Sequence, residues 1–110
     1  LTRIDELTDS EYISLAVSNG CLACSLDRNP GTPAEWHHPR EKVGKSERGA
    51  DRLGYPLCPS HHRTGVGVTA VHLDPVVFKR LYGNDEKMAK LTRISVQRIL
   101  NCSIGMKRAR

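Results

Sequence analysis

Cys21 and Cys24 form a C-x-x-C unit, and Cys58 with His61 forms a C-x-x-H unit farther along, in the stretch PLCPSHHR. Zinc takes four soft or borderline ligands in a tetrahedron, and Cys21, Cys24, Cys58 and one histidine of the 61/62 pair make such a set. The first unit brings two sulfurs to one side of an ion, and the spacing of Cys58 and His61 closes the other. A plainer alternative makes Cys58 a core thiol and His61 a surface residue, but the repeated ligand spacing argues against it. Cys102 falls on the apolar face of the C-terminal pattern and reads as an inert core cysteine rather than a fifth ligand.

His37, His38, His62 and His72 remain. A lone histidine is usually a satisfied core residue; two adjacent pairs in one small chain are not explained that way. Neighbouring strand residues point to opposite faces, so His37 and His38 have different tasks. One can bind a metal while the other faces a substrate. This pattern suits metal-assisted hydrolysis, in which a divalent ion polarises a phosphodiester and a neutral imidazole takes a proton from water. Imidazole titrates close to neutrality, which fits it for the base role. Between the two pairs lies a glycine-containing charged loop with Arg40, Lys42, Lys45, Arg48 and Arg52. These side chains could hold a phosphate backbone; the plainer alternative is a solvated charged loop.

Several elements must position these residues. In LTDSEYISLAVSNG, Thr8 is an N-cap, Glu11 sits at the capping-box position and Asn19-Gly20 is a stop, which predicts a helix. The C-x-x-C knuckle leads into a Pro-Gly turn, AEWHHP reads as a short strand ended by Pro39, and YPLC as its return strand. CPSHHR opens a helix, so a β-hairpin followed by a helix brings the 37/38 and 62 positions face to face. RTGVGVTAVH has no clear assignment. Asp74-Pro75 starts a short helix stopped at Gly83. NDEKMAKLTRISVQRILNCSIG is an amphipathic helix in which Met88, Leu91, Ile94 or Ser95, Ile99 and Cys102 keep a helical period.

These elements describe one α+β domain of 110 residues, a core over about 21–72 flanked by an N-terminal helix and a helical extension over about 74–104. Aromatics make up only 5% of the chain, so its core is lean and an extra constraint such as a metal is expected. The net charge of +5 favours a polyanionic partner. Four cysteines would also allow two disulfides, but the C-x-x-C spacing and the surrounding histidines favour metal. No signal peptide, membrane-length apolar run or lipidation motif is present, so a cytoplasmic location and no membrane partner are expected. The chain opens on Leu1 rather than Met, as a fragment lacking an N-terminal segment would.

CLAC, AEWHHPREKVG and YPLCPSHHRTG together resemble the HNH (ββα-metal) endonucleases, particularly their zinc-framed phage and prophage branch. Within that branch the chain resembles recombination-enhancement nucleases that cut DNA carrying RecA filaments. The likeness covers about half of the chain. It implies a structural Zn²⁺ on Cys21, Cys24, Cys58 and His61. It also implies a catalytic Mg²⁺ or another divalent cation held by His37 and His62, with His72 as a further ligand, and His38 as general base. The partner is then DNA, met mainly through its backbone, with RecA nucleoprotein filaments supplying the targeting in the bacterial host cytoplasm. Two departures stand out: the next histidine after His62 is as far away as His72, and the motif's asparagine is missing before Cys58, where Asp51 could take over its hydrogen bonds. The competing expectation is a zinc-stabilised nucleic-acid-binding module without catalysis. A zinc deaminase lacks its H-x-E and P-C-x-x-C pattern here, and no thioredoxin-like βαβ pattern surrounds the C-x-x-C.

Overall fold

The computed structural model describes residues 3–39 and 52–108, with side chains through residue 102. Arg40, Lys42, Lys45, Arg48 and Asp51 lie outside the described residues. After a short 3₁₀ turn over Ile4–Glu6, helix α1 spans Asp9–Ser18. Its start is the capping box expected: Thr8 Oγ1 accepts from the Glu11 amide at 3.1 Å, and Glu11 Oε1 accepts from the Thr8 amide at 2.8 Å. Tyr12 and Ala16, one turn apart, are its buried face. The helix ends at Gly20, whose φ of +89° suits glycine and whose added Cβ would sit 3.0 Å from the Gly31 Cα. That close approach lets the Cys21 amide donate to the Thr32 carbonyl at 2.8 Å.

The C-x-x-C knuckle is itself a small helix, α2, Leu22–Leu26. Strands β1, Glu35–His37, and β2, Tyr55–Leu57, pair antiparallel with Glu35 opposite Leu57, Trp36 opposite Pro56 and His37 opposite Tyr55. Among the described residues the fold is therefore α+β around one two-stranded sheet. β2 is buried throughout and lies at the centre of the packing. Gly54 is fitted to β1: a Cβ there would lie 2.5 Å from the His37 carbonyl oxygen and 2.6 Å from the Trp36 ring.

His61 and His62 lie on a five-residue π-helical turn, Ser60–Thr64, closed by Gly65 in the left-handed region. The segment 65–71, unassigned from the sequence, loops back so that Val71 and His72 donate to the carbonyls of His61 and His62 at 2.7 and 3.2 Å. Helix α3, Pro75–Tyr82, starts on Asp74, whose side chain accepts from the Val77 amide. Helix α4, Asp85–Arg108, packs on α1, β2 and the N-terminal turn. No helix among the described residues is long and apolar enough to cross a membrane.

Two hydrophobic clusters result. One gathers Cys21, Cys24 and Cys58 with Tyr55, Leu57, Phe78, Tyr82 and Met88, and the other joins Ile4, Leu7, Tyr12, Ala16 and Val96. One expectation needs correction. The buried stripe of α4 runs through Met88, Thr92 and Val96, while Cys102 is exposed and Ile94 is 48% exposed. Thr92 fills a core position because its hydroxyl donates to the Met88 carbonyl at 2.9 Å, which removes the penalty of burying it. Arg52, the residue of the charged loop that lies among the described residues, ties down the N-terminal segment. Its guanidinium donates to Asp9 at 2.7 Å, to the Ile4 carbonyl at 3.1 Å and to the Leu7 carbonyl, and stacks over the Tyr12 ring at 5.0 Å.

Candidate functional site

Cys21 is the N-cap of α2, so its Sγ already accepts the Cys24 amide at 3.3 Å and the two thiols face the same side. Cys58 follows β2 directly, and the turn beyond it brings His61 back with its amide 3.5 Å from Cys58 Sγ. Bonds of about 2.3 Å to sulfur and about 2.05 Å to nitrogen give a tetrahedral site S···S edges of roughly 3.8 Å and S···N edges of roughly 3.5 Å. Here Cys24 and Cys58 Sγ are 3.8 Å apart, and His61 Nδ1 lies 3.7, 3.4 and 3.3 Å from the sulfurs of Cys21, Cys24 and Cys58. The thiols are not disulfide-bonded. This buried group could hold a metal such as zinc.

The supporting shell fits that role. His61 Nε2 lies 3.1 Å from the Tyr82 hydroxyl, which in turn donates to Asp27 at 2.7 Å. With Nδ1 turned to the sulfurs, Nε2 is the protonated nitrogen, and the tyrosine and carboxylate fix the ring as outer partners of a ligand histidine do. Burial holds His61 below its usual range, so its ring is neutral and keeps a lone pair for a cation. Burial pushes the Cys21 thiol up to about 12, and burial followed by the Asp27 carboxylate raises Tyr82. A cation among the thiols reverses that preference, because thiolate is the ligand form.

A second centre lies across the same turn. Ligand atoms of His37, His62 and His72 lie within 4.8 Å of one another. His37 comes from β1, His62 from the π-helical turn and His72 from the loop that returns through Gly65 and Gly67, both with positive φ. Ring centroids are 5.1 Å apart for His37–His62 and His37–His72, and 4.6 Å for His62–His72. Exposure rises across the set: His37 is buried, His62 intermediate and His72 exposed. Consecutive side chains on a helical turn point in clearly different directions, which is why adjacent His61 and His62 face different centres.

Glu35, not singled out in the sequence, supports the second centre. Its Oε1 lies 2.6 Å from His62 Nδ1, and Arg63 donates to both of its oxygens at 2.8 and 3.3 Å. Arg63 first, then His62, holds the Glu35 carboxyl down to about 2. With Nδ1 facing the carboxylate, His62 presents Nε2 to the other histidines. The signal was available: Glu35 precedes His37 by two, hence shares its strand face. No local pattern pointed to Tyr82 and Asp27, which meet across 55 residues.

Three imidazoles suit borderline cations such as zinc better than Mg²⁺, which prefers oxygen ligands. His38 is outside the three-histidine set; it is exposed, one residue beyond β1. A cleft of about 250 Å³ opens beside His37 and His72. Protein-family models, curated proteins and solved structures contain no match to this chain, so the two centres are defined by their geometry alone.

Proposed function

We propose that this chain is a metal-dependent DNA endonuclease of the HNH type, hydrolysing phosphodiester bonds. The observation that carries this reading is the convergence of His37, His62 and His72 on one partly open point beside the closed Cys₃His frame. A divalent cation bound by these three imidazoles would supply the charge that polarises a phosphodiester and favours departure of its leaving oxygen. Glu35 holds the His62 ring in the tautomer that offers Nε2. His37, buried against the Tyr55 ring at 4.9 Å between centroids, has little rotational freedom. His38 is assigned as general base: a ring nitrogen takes a proton from the water that attacks phosphorus and passes it to solvent. Arg40, Lys42, Lys45 and Arg48 are assigned to backbone phosphates. By its resemblance to recombination-enhancement nucleases, the protein would act on DNA bound by RecA filaments, in recombination.

A module that only binds nucleic acid would need the Cys₃His frame and would leave the three-histidine convergence unexplained. The deciding experiment incubates circular single- and double-stranded DNA with the protein and Mg²⁺, Mn²⁺ or Zn²⁺, with and without RecA–ATP filaments. Cutting that disappears in His38→Ala and His62→Ala is expected. Cutting that survives in His38→Ala reassigns the base, and no cutting with any metal or substrate favours the binding module.

A further inference from the structure

Arg52 and Arg63 are both bound to carboxylates, and they differ in what they leave over. The Arg52 side chain is 24% exposed and spends Nε on Asp9 and its two terminal nitrogens on the Ile4 and Leu7 carbonyls. The Arg63 side chain is 58% exposed and donates to Glu35 from Nε at 2.8 Å and from Nη2 at 3.3 Å. No described residue accepts from its Nη1. A guanidinium carries its donors in a rigid plane, so the edge made by Nη1 and the outer hydrogen of Nη2 is open. One carboxylate oxygen sets where that edge lies. Glu35 Oε1 accepts from Arg63 Nε and also lies 2.6 Å from His62 Nδ1, which places the guanidinium beside the three-histidine centre.

We propose that Arg63 is a substrate-binding residue that grips a backbone phosphate of DNA through this open edge, next to the bond at the three-histidine centre. The proposal deepens the nuclease reading and rests on it for the identity of the ligand. Charge carries it. Histidine ligates a cation as the neutral ring, so His37, His62 and His72 bring no negative charge to the centre. Glu35, the carboxylate that reaches the set, is already balanced by Arg63. Asp85, on the wall of the cleft beside His37 and His72, accepts from the Tyr55 hydroxyl at 2.7 Å. A divalent cation on three neutral rings and a guanidinium beside them leave an excess of positive charge on the open side. An anion offsets it, and the planar edge of arginine matches two phosphate oxygens at once. Glu35 holds the guanidinium in place beforehand, so less side-chain freedom is lost when the phosphate arrives.

The test measures binding of a short DNA oligonucleotide to the full, zinc-loaded chain by fluorescence anisotropy over a salt series, without added divalent cation so that nothing is cut. Arg63→Gln should weaken binding about tenfold or more, the loss expected for hydrogen bonds to a charged group, and lower the salt slope by nearly one. Arg63→Lys keeps the charge and should recover the slope. Arg93 is similarly exposed at 53% and pairs with Asp5, so Arg93→Gln is the control and should change neither quantity. The double variant Glu35→Gln/Arg63→Gln separates a phosphate contact from simple neutralisation of Glu35, and it should bind as weakly as Arg63→Gln. Recovery of affinity in the double variant, an unchanged slope in Arg63→Gln, or an equal loss in Arg93→Gln would each overturn the contact. Arg63-dependent binding in a protein that cuts nothing with any metal would sink the nuclease reading and leave the contact standing. Efficient cutting with an unchanged KM in Arg63→Gln would do the reverse.

Discussion

His61 and His62 are neighbours on one turn, yet they belong to centres of opposite character. The His61 centre has three sulfurs and one nitrogen, all four residues buried, with the distances of a filled tetrahedron. The His62 centre has three nitrogens and grades from buried His37 to exposed His72. A closed soft-ligand site holds a metal for stability, whereas a site with fewer protein ligands and an open side leaves room for water or substrate. Their outer partners differ in the same sense. His61 is braced by Tyr82 and Asp27, reaching into α3 and the end of α2, and so ties helices together. His62 is braced by Glu35 and Arg63, which orient one ring on the surface.

The strongest way to break this contrast is to remove a sulfur. Cys58→Ser should lose zinc and cooperative unfolding together, because structural zinc contributes about 10–16 kcal/mol in small domains, against total stabilities of about 5–15 kcal/mol. Elemental analysis beside a circular-dichroism melt checks it; an unchanged melt without zinc would make the closed centre dispensable. His62→Ala should instead lower cleavage by about three orders of magnitude, the scale of several kcal/mol of charge stabilisation. It should keep one zinc equivalent and a melting temperature within a few degrees. A collapse in stability would show that the open centre is structural as well.

Glu35→Gln sharpens the contrast further. Loss of the outer partner should weaken metal affinity at the three-histidine centre about 10- to 100-fold, read by titrating Co²⁺ absorption, while the thiolate-to-cobalt bands stay as they were. Equal weakening of both sets of bands would mean that the centres are coupled. The smallest effect is expected at Arg52→Gln, which removes the charge and the fork that meet Asp9 and two carbonyls. It should cost about 1–2 kcal/mol in a denaturant melt and leave the salt dependence of DNA binding alone. A slope reduced by nearly one would return Arg52 to the phosphates.

The parts of this molecule legible in the sequence are those set by neighbours along the chain. Thr8 with Glu11, Asp74 with Pro75, and the two C-x-x units each depend on a local geometry that residue type and spacing specify. The α4 stripe departs from the apolar period of its sequence because polar Thr92 occupies its centre and Cys102 lies beyond the packed part. The partners of Arg52 lie in the N-terminal segment, more than forty positions away, where no local pattern points to them.

What the sequence by itself determined is the inventory and its local spacing: one helix capped at Thr8, a hairpin bearing His37, and a turn carrying Cys58, His61 and His62. Tertiary structure alone decided which groups meet. It brought His72 back through a glycine loop, placed Glu35 on His62, and set Tyr82 between His61 and Asp27. The physical reason is that helix caps and ligand spacings are satisfied within a few residues, whereas outer partners and open sites are satisfied by whatever the packing of distant elements delivers.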